Sequence, residues 1–449
     1  YTGREAVGSG ETFDPTPANI DARTATAALA NGTQLALLPK QTRGNTVNLS
    51  MNFRFGSAGD VDGRVTAADM AGGMLMRGTA NLSREQISRR LDELSARLSV
   101  NGGSQGVSVT AQTKREHLAD LVDLIAEILT QPAFPESEFE QLRNQVVTGI
   151  QSQMSEPQPL ASNALGRHFG ARWPKGHPYY TATFEETLAE ARGVTLADAR
   201  AFHAEFYGAG FGEIALVGDF DPAEVTAQLE RHFGGWTTAK PFERIEAPFV
   251  QVEAADIVIE TPDKANAVIL SRATFPLTDS HPDYAALLIG NNIFGGGGMK
   301  SRLGDRVRQT DGLSYSVGSG INIGALDDNA GQSLFAIAAP ENIARVKQAF
   351  EEERARLLAD GVTEEELKDA VDGLLNMRVL GRAEDGNLVG QLRGNLYLGR
   401  QMAWSAELEE KIRALTKADV DAALRRHLGQ IEFTVVTAGD FAKLEGGTP

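Results

Sequence analysis

The sequence predicts an α+β protein made of two homologous α/β-sandwich domains, each a mixed or antiparallel sheet covered by helices. Two observations carry this. First, short patterns recur at a nearly constant offset. Gly218-Asp219-Phe220 returns as Gly439-Asp440-Phe441, Thr195-Leu196-Ala197-Asp198 as Thr416-Lys417-Ala418-Asp419, and Gly208 as Gly429, each 221 residues on. Asn52-Phe53-Arg54-Phe55 lines up with Arg272-Ala273-Thr274-Phe275 at an offset of 220. A fixed period of this kind marks a duplication. Second, each unit places strands first, helices in the middle, and a strand and helix near its end. Strands grouped apart from helices point to a sheet covered by helices on one face.

The elements follow in order. Residues 1–25, rich in Gly, Pro, Thr and Asp and without periodicity, read as an extended arm or linker. Leu35–Leu38 is a strand. In Thr46–Phe55, Val47, Leu49, Met51, Phe53 and Phe55 alternate with polar residues, the period of a half-buried strand. Helical patterns cover 64–77 and 84–98, and strands Arg97–Asn101 and Val107–Gln112. Long helices fit His117–Leu129, Glu136–Met154 and Leu160–Gly170. A helix at Leu196–Tyr207 leads into the strand Glu213–Val217, and another ends near Phe233. The expected division is an arm at 1–27, a first domain at 28–240, a linker at 241–248 and a second domain at 249–445.

Composition removes several functions. The chain has 449 residues and carries a net charge of −17, with 60 Asp+Glu against 43 Lys+Arg, which argues against nucleic acid as a partner. No apolar run approaches the ~18 residues of a membrane span. There is no cysteine, so disulfides, thiolate metal sites and cysteine nucleophiles are excluded. The chain starts at Tyr1 with no basic-then-apolar leader, which reads as a processed product or the downstream part of a longer polypeptide.

Within this acidic chain, Phe294–Gly320 is a positive island. Gly295, Gly296, Gly297 and Gly298 form a flexible loop that favours close approach to a partner. A short helix follows, with Leu303 and Val307 on one face and Arg302 and Arg306 on another. Asp311-Gly312 stops it. Leu313, Tyr315 and Val317 then alternate with Ser314, Ser316 and Gly318 as a strand. On spacing alone Tyr315 is a core residue, and Arg308 a solvated arginine paired with Asp305 or Asp311. A phosphate loop is excluded: Met299 stands where the glycine before Lys300 should be, and the residues upstream read as a helix. His177 and Tyr179 are packing and turn residues.

The segment Gly295–Ser319 resembles the insulinase/pitrilysin family of zinc metallopeptidases, the inverzincins. The resemblance extends over roughly residues 28 to 445. It rests on the duplication, the glycine loop followed by Ser301-Arg302-Leu303, His177-Pro178-Tyr179, both Gly-Asp-Phe elements, and an arginine and tyrosine seven residues apart, Arg308 and Tyr315. It implies that the two domains form one half of a clam-shell peptidase whose other half carries zinc on a His-x-x-Glu-His helix. The corresponding slots here, just before Arg77-Gly78-Thr79, hold Asp69, Gly72 and Gly73, and the slot of a third, glutamate ligand falls near Gly149. Zinc needs three or four N, O or S ligands, and glycine offers none.

The resemblance therefore implies a zinc-less half, with no cofactor of its own and zinc in the partner. Its partners would be a homologous zinc-bearing subunit or half and a peptide substrate. Arg308 and Tyr315 would be catalytic, and Gly295–Gly298 with Arg302 would contact substrate. The location implied is the bacterial periplasm, as a soluble protein. The rival expectation is an inactive structural or interaction subunit of a larger complex.

Overall fold

The computed structural model describes residues 10–445. Among the described residues, eleven strands form two sheets. β1 (Ala25–Ala28), β2 (Gln34–Pro39), β3 (Thr46–Arg54), β4 (Arg97–Gly103), β5 (Gly106–Lys114) and β6 (Gly212–Gly218) build the first, in the order β1-β2-β6-β3-β5-β4. β7 (Asp256–Glu260), β8 (Ala267–Pro276), β9 (Ser314–Asn322), β10 (Asn329–Ala338) and β11 (Thr434–Gly439) build the second, in the order β7-β11-β8-β10-β9.

The duplication read from short patterns is a duplication of topology. In each sheet a strand from the end of the unit, β6 or β11, is inserted parallel to β2 or β7 and antiparallel to β3 or β8. The remaining pairs are antiparallel. Strand parity then sorts the side chains. In β3, Val47, Leu49, Met51 and Phe53 enter the helix-covered core of the first unit, and in β8, Ala267, Ile269 and Phe275 enter that of the second.

The far faces of the sheets also carry apolar residues, from β2, β6, β8 and β11, and here the expectation of helices on one face is corrected. Ala36, Leu38, Ala215 and Val217, on the far face of the first sheet, are buried by Leu388, Val389 and Leu392. These belong to the helix Asp385–Leu398, which lies between β10 and β11 of the second sheet in sequence. Reciprocally, Val268, Val436 and Ala438 of the second sheet are buried by Ala161 and by Ala164 and Leu165 of the helix Pro157–Gly170. Each half lends the other one helix.

Of the expected arm, residues 1–9 lie outside the described residues, and the rest contains a helix. Thr16 caps a helix over Pro17–Arg23, with Pro17 at its first position, where the missing N–H is not needed. Ile20 is fully buried beside Met402. The Asp21 carboxylate accepts from the backbone N–H of Met402 and Ala403, both at 2.9 Å, capping the helix Met402–Arg413 from outside it. Lys40 and Asp385 pair across the same boundary at 2.5 Å. The helix expected over 84–98 stops at Glu93, because Ser95 adopts a left-handed backbone (φ 47°) from which β4 starts. Residues 239–255 contain neither helix nor strand.

Leu388→Ala removes a fully buried side chain of the lent helix. The expected loss is about 2–5 kcal/mol. Because Leu388 lies against the first sheet, thermal unfolding should shift for both halves together. A melt in which only the second half is weakened would contradict the exchange of helices.

Candidate functional site

The site is built from β9, its neighbour β10 and the helix before them. β9 and β10 pair in regular register until Ile337 faces Ser316; the next pair is Ala338 with Ser314. Tyr315 has no partner, so two residues of β9 oppose one of β10 at a bulge, which re-aims the side chain there. The bulge is tied by Ser314, whose hydroxyl donates to the Ile337 carbonyl (2.5 Å) and accepts from the Ser316 N–H (3.1 Å). Leu313 is buried, as expected, but Tyr315 is 88% exposed, so the core reading on the Leu313 face is corrected.

Arg308 comes from the helix ahead. Gly304–Thr310 is wound as a π-helix that buries Val307, and Leu303 just before it is buried too. The chain leaves it by Asp311 and Gly312 (φ 63°), with the Leu313 N–H held by the Val307 carbonyl at 2.8 Å. This turn returns the strand so that the Arg308 guanidinium carbon lies 5.5 Å from the centre of the Tyr315 ring. The expected pairing of Arg308 with Asp305 or Asp311 is absent: Asp311 binds Arg306 Nε at 2.8 Å, and Arg306 also reaches Glu352 at 2.9 Å. Among the described residues Arg308 has no acidic partner. An exposed cation and a phenol hydroxyl therefore share one surface, both free to take an external oxygen.

The other residues expected at this site divide. Arg302 is used internally: its Nε and Nη2 both contact Glu366 at 2.7 Å, and Nη2 also donates to the Gly361 carbonyl at 2.8 Å. That fork fixes the start of the helix Glu364–Ala383 and ties Arg302 into the fold. Gly295 is buried against Ser319, whose atoms would stand 2.6–2.8 Å from a Cβ. The glycine run is therefore closely packed at its start, not a free loop. Gly296, Gly297 and Gly298 are exposed, and Gly298 takes a left-handed backbone (φ 64°).

The expected zinc slots lie on the helix Val65–Met74. They offer one carboxylate, Asp69. A Cβ on Gly72 would sit 2.4–2.7 Å from the Gly102 backbone of β4. A Cβ on Gly102 would in turn meet the Tyr207 hydroxyl at 2.2 Å. Helix, strand and tyrosine thus fill the space a glutamate would need, and the residues present do not fit zinc. The Tyr207 hydroxyl is buried without a partner, and burial, with the charge of Asp69 nearby, raises its pKa. Asp69 itself reaches the solvent of a cleft of about 730 Å³ that also holds Arg64, His177 and Tyr180. The surrounding protein desolvates its carboxyl and pushes its pKa up to about 6. Gly149 is exposed on the helix Glu136–Gln153 and adds no ligand.

Sequence spacing gave no sign of one cluster, His281, Asp283 and His427, because it assembles over 140 residues of chain. Its atoms are spent on one another. Asp283 accepts from His427 Nε2 at 2.7 Å and pairs with Arg426, while its N–H donates to His281 Nδ1 at 3.0 Å. It pins the helix Lys417–Leu428 to the start of Tyr284–Asn291.

Comparison with known proteins bears on both halves. The description "Insulinase (Peptidase family M16)" matches residues 35–179, and "Peptidase M16 inactive domain" matches residues 193–374. The chain belongs to the M16 family. A crystal structure of a peptidase M16 inactive domain from Pseudomonas fluorescens is similar at 26% identity and a TM-score of 0.78, over 93% of this chain and 97% of that one. A "non-peptidase homolog YmxG" of Helicobacter pylori is 20% identical over 393 residues, 87% of this M16 chain and 88% of that protein. The periplasmic protease PqqL of Escherichia coli shares the fold at 15% identity and a TM-score of 0.75, with 96% of this chain covering 46% of that one.

Two outcomes follow for the Val65–Met74 helix. Gly72→Glu should destabilise the fold by about 1–3 kcal/mol through overpacking, and the triple variant Asp69→His, Gly72→Glu, Gly73→His should still bind no stoichiometric zinc by elemental analysis. Asp69 has a folded pKa above its ordinary value of 3.8. Its stabilising contribution is thus complete below that value and lost as pH rises through about 6. Asp69→Asn should therefore raise the melting temperature at pH 8 and leave it nearly unchanged at pH 4.

Proposed function

We propose that this chain is the zinc-less half of a two-part M16 metallopeptidase and lends Arg308 and Tyr315 to the active site of a homologous, zinc-bearing partner. The carrying observation is the exposed Arg308–Tyr315 pair, placed by a tied bulge and without acidic partners. An exposed tyrosine beside an uncommitted arginine contributes little to the stability of this chain. It suits an oxygen that arrives with another molecule.

The zinc chemistry would come from the partner. In the assembled pair the Tyr315 hydroxyl donates a hydrogen bond to the oxygen of the peptide carbonyl as it gains negative charge. Such a donor acts most strongly in the transition state. Arg308 holds a neighbouring substrate carbonyl or carboxylate through its forked N–H groups. The exposed Gly296–Gly298 offer backbone to the same peptide, and Lys300, 87% exposed, adds positive charge. Two facts support a half-site: the structurally similar Escherichia coli protease is about twice as long, and this chain cannot hold zinc in its own slots. The same neighbour supports a periplasmic location. The second reading, an inactive structural or interaction subunit, is favoured by the name of the Helicobacter pylori relative. The exposure of both Arg308 and Tyr315 favours the first.

The test is reconstitution with a zinc-bearing M16 homologue encoded beside this chain. The isolated chain should cleave no peptide, and the mixture should cleave. In that mixture Tyr315→Phe should lower kcat by about a hundred- to a thousandfold with little change in KM. Arg308→Ala should raise KM more than it lowers kcat. Wild-type kinetics for Tyr315→Phe in an intact complex would move the assignment to the structural reading.

A further inference from the structure

A second site lies between the halves, on the outer face of the second sheet. It is a cleft of about 360 Å³ walled by the end of the helix Pro157–Gly170, the loop after it, the segment 247–252 and the outward side chains of β8. Its lining contains two arginines, Arg172 and Arg272, and no Asp or Glu, in a chain where acids outnumber bases.

Arg272 is unlike the other shielded arginines. Arg382 is paired with Glu409, Arg54 with Glu213, Arg302 with Glu366 and Arg400 with Asp279. Arg354 is bonded to two carbonyls and Arg393 to Ser50. Among the described residues the Arg272 guanidinium makes neither an ion pair nor a hydrogen bond, and its carbon rests 4.8 Å from the centre of the Phe169 ring. Burial there disfavours its charge. An unpaired, half-buried cation is costly to a fold and gains most from an incoming anion.

The walls around it are fixed and apolar. Trp173 stacks on His177 at 4.3 Å and meets Tyr179 edge-on at 5.5 Å, and the Tyr179 hydroxyl is anchored to the Ile245 carbonyl at 3.1 Å. Arg172 lies over Trp173 at 4.5 Å and donates to the Pro248 carbonyl, so it too lacks a carboxylate. Val250 and Val252 complete the apolar side. A bare phosphate would leave these walls uncovered.

We infer that this cleft binds a carboxylate attached to an aromatic or other apolar group, the chemistry of a peptide's C-terminal residue. Arg272 grips the carboxylate by its fork, and Phe169, Trp173 and Tyr179 cover the side chain. The inference does not rest on the role given to Arg308 and Tyr315, because the chain binds this ligand without a partner.

The experiment is calorimetric titration of the full chain with acetyl-Ala-Phe, with its C-terminal amide and with phenylacetate. The acid should bind, and the amide should bind about ten- to a hundredfold more weakly. Phenylacetate separates the sources: weaker binding than the peptide assigns the site to peptide ends, equal binding to free aromatic acids. Arg272→Met should weaken the acid by the same factor as amidation while its melting temperature stays at or above that of the wild type. A merely structural Arg272 would lower the melting temperature on substitution. Equal binding of acid and amide, wild-type binding by Arg272→Met, or no binding of acid at millimolar concentration would overturn the inference.

Discussion

Both sheets carry apolar residues on two faces, but each half has enough helices of its own to cover only one. Ala36, Leu38, Ala215 and Val217 need Leu388, Val389 and Leu392, while Val268, Val436 and Ala438 need Ala161 and its neighbours. Burial of apolar surface contributes about 25 cal/mol per Å², so neither face is stable in water. The reciprocal loan of one helix satisfies both at once. It sets β8 against the end of the Pro157–Gly170 helix, which creates the Arg272 cleft. It sets the N-terminal helix on Met402. A family duplication has thus become an interlocked unit, since each copy is completed by the other.

The fold was legible where side-chain parity is simple. Alternation in Thr46–Phe55 and the constant 221-residue offset placed strands and duplication from residues alone. Reading failed where a partner distant in sequence decides the structure. The second apolar face was invisible because its covering helix lies far along the chain. The helix Pro17–Arg23 was missed although Thr16 and Pro17 form a start signal, because seven residues are too few to show a period. At the candidate site, the motif singled out Arg308 and Tyr315 as candidates, and the structure brings the two side chains together. Their direction was not legible, since strict alternation sends Tyr315 inward with Leu313, and a bulge tied by Ser314 overrides it. The acids that engage Arg302 and Arg306, Glu366 for the first and Asp311 and Glu352 for the second, leave Arg308 the uncommitted arginine of the three.

The Val65–Met74 helix, where the resemblance places the zinc slots, is closely packed. Gly72 lets the helix approach Gly102, and Tyr207 fills the remaining gap with a hydroxyl that has no partner. The local packing depends on the absence of side chains at Gly72 and Gly102. The opposite holds for β9, where an exposed tyrosine and a free arginine are presented with no visible return to the stability of this chain.

The cap that Asp21 places on the helix Met402–Arg413 has a consequence for how the chain reaches its native state. Residues near the start must wait for residues 381 positions later before their contacts exist. Nascent chains emerge at about 5–20 residues per second. The first sheet, complete once β6 is made, therefore spends roughly 9–36 seconds on the ribosome with its outer face open before the covering segment is made. Sequence separation on this scale slows folding and exposes strand edges to aggregation. A half of this protein cut at the 239–255 segment would keep that exposure permanently, so the two copies, though similar, are not independent folding units.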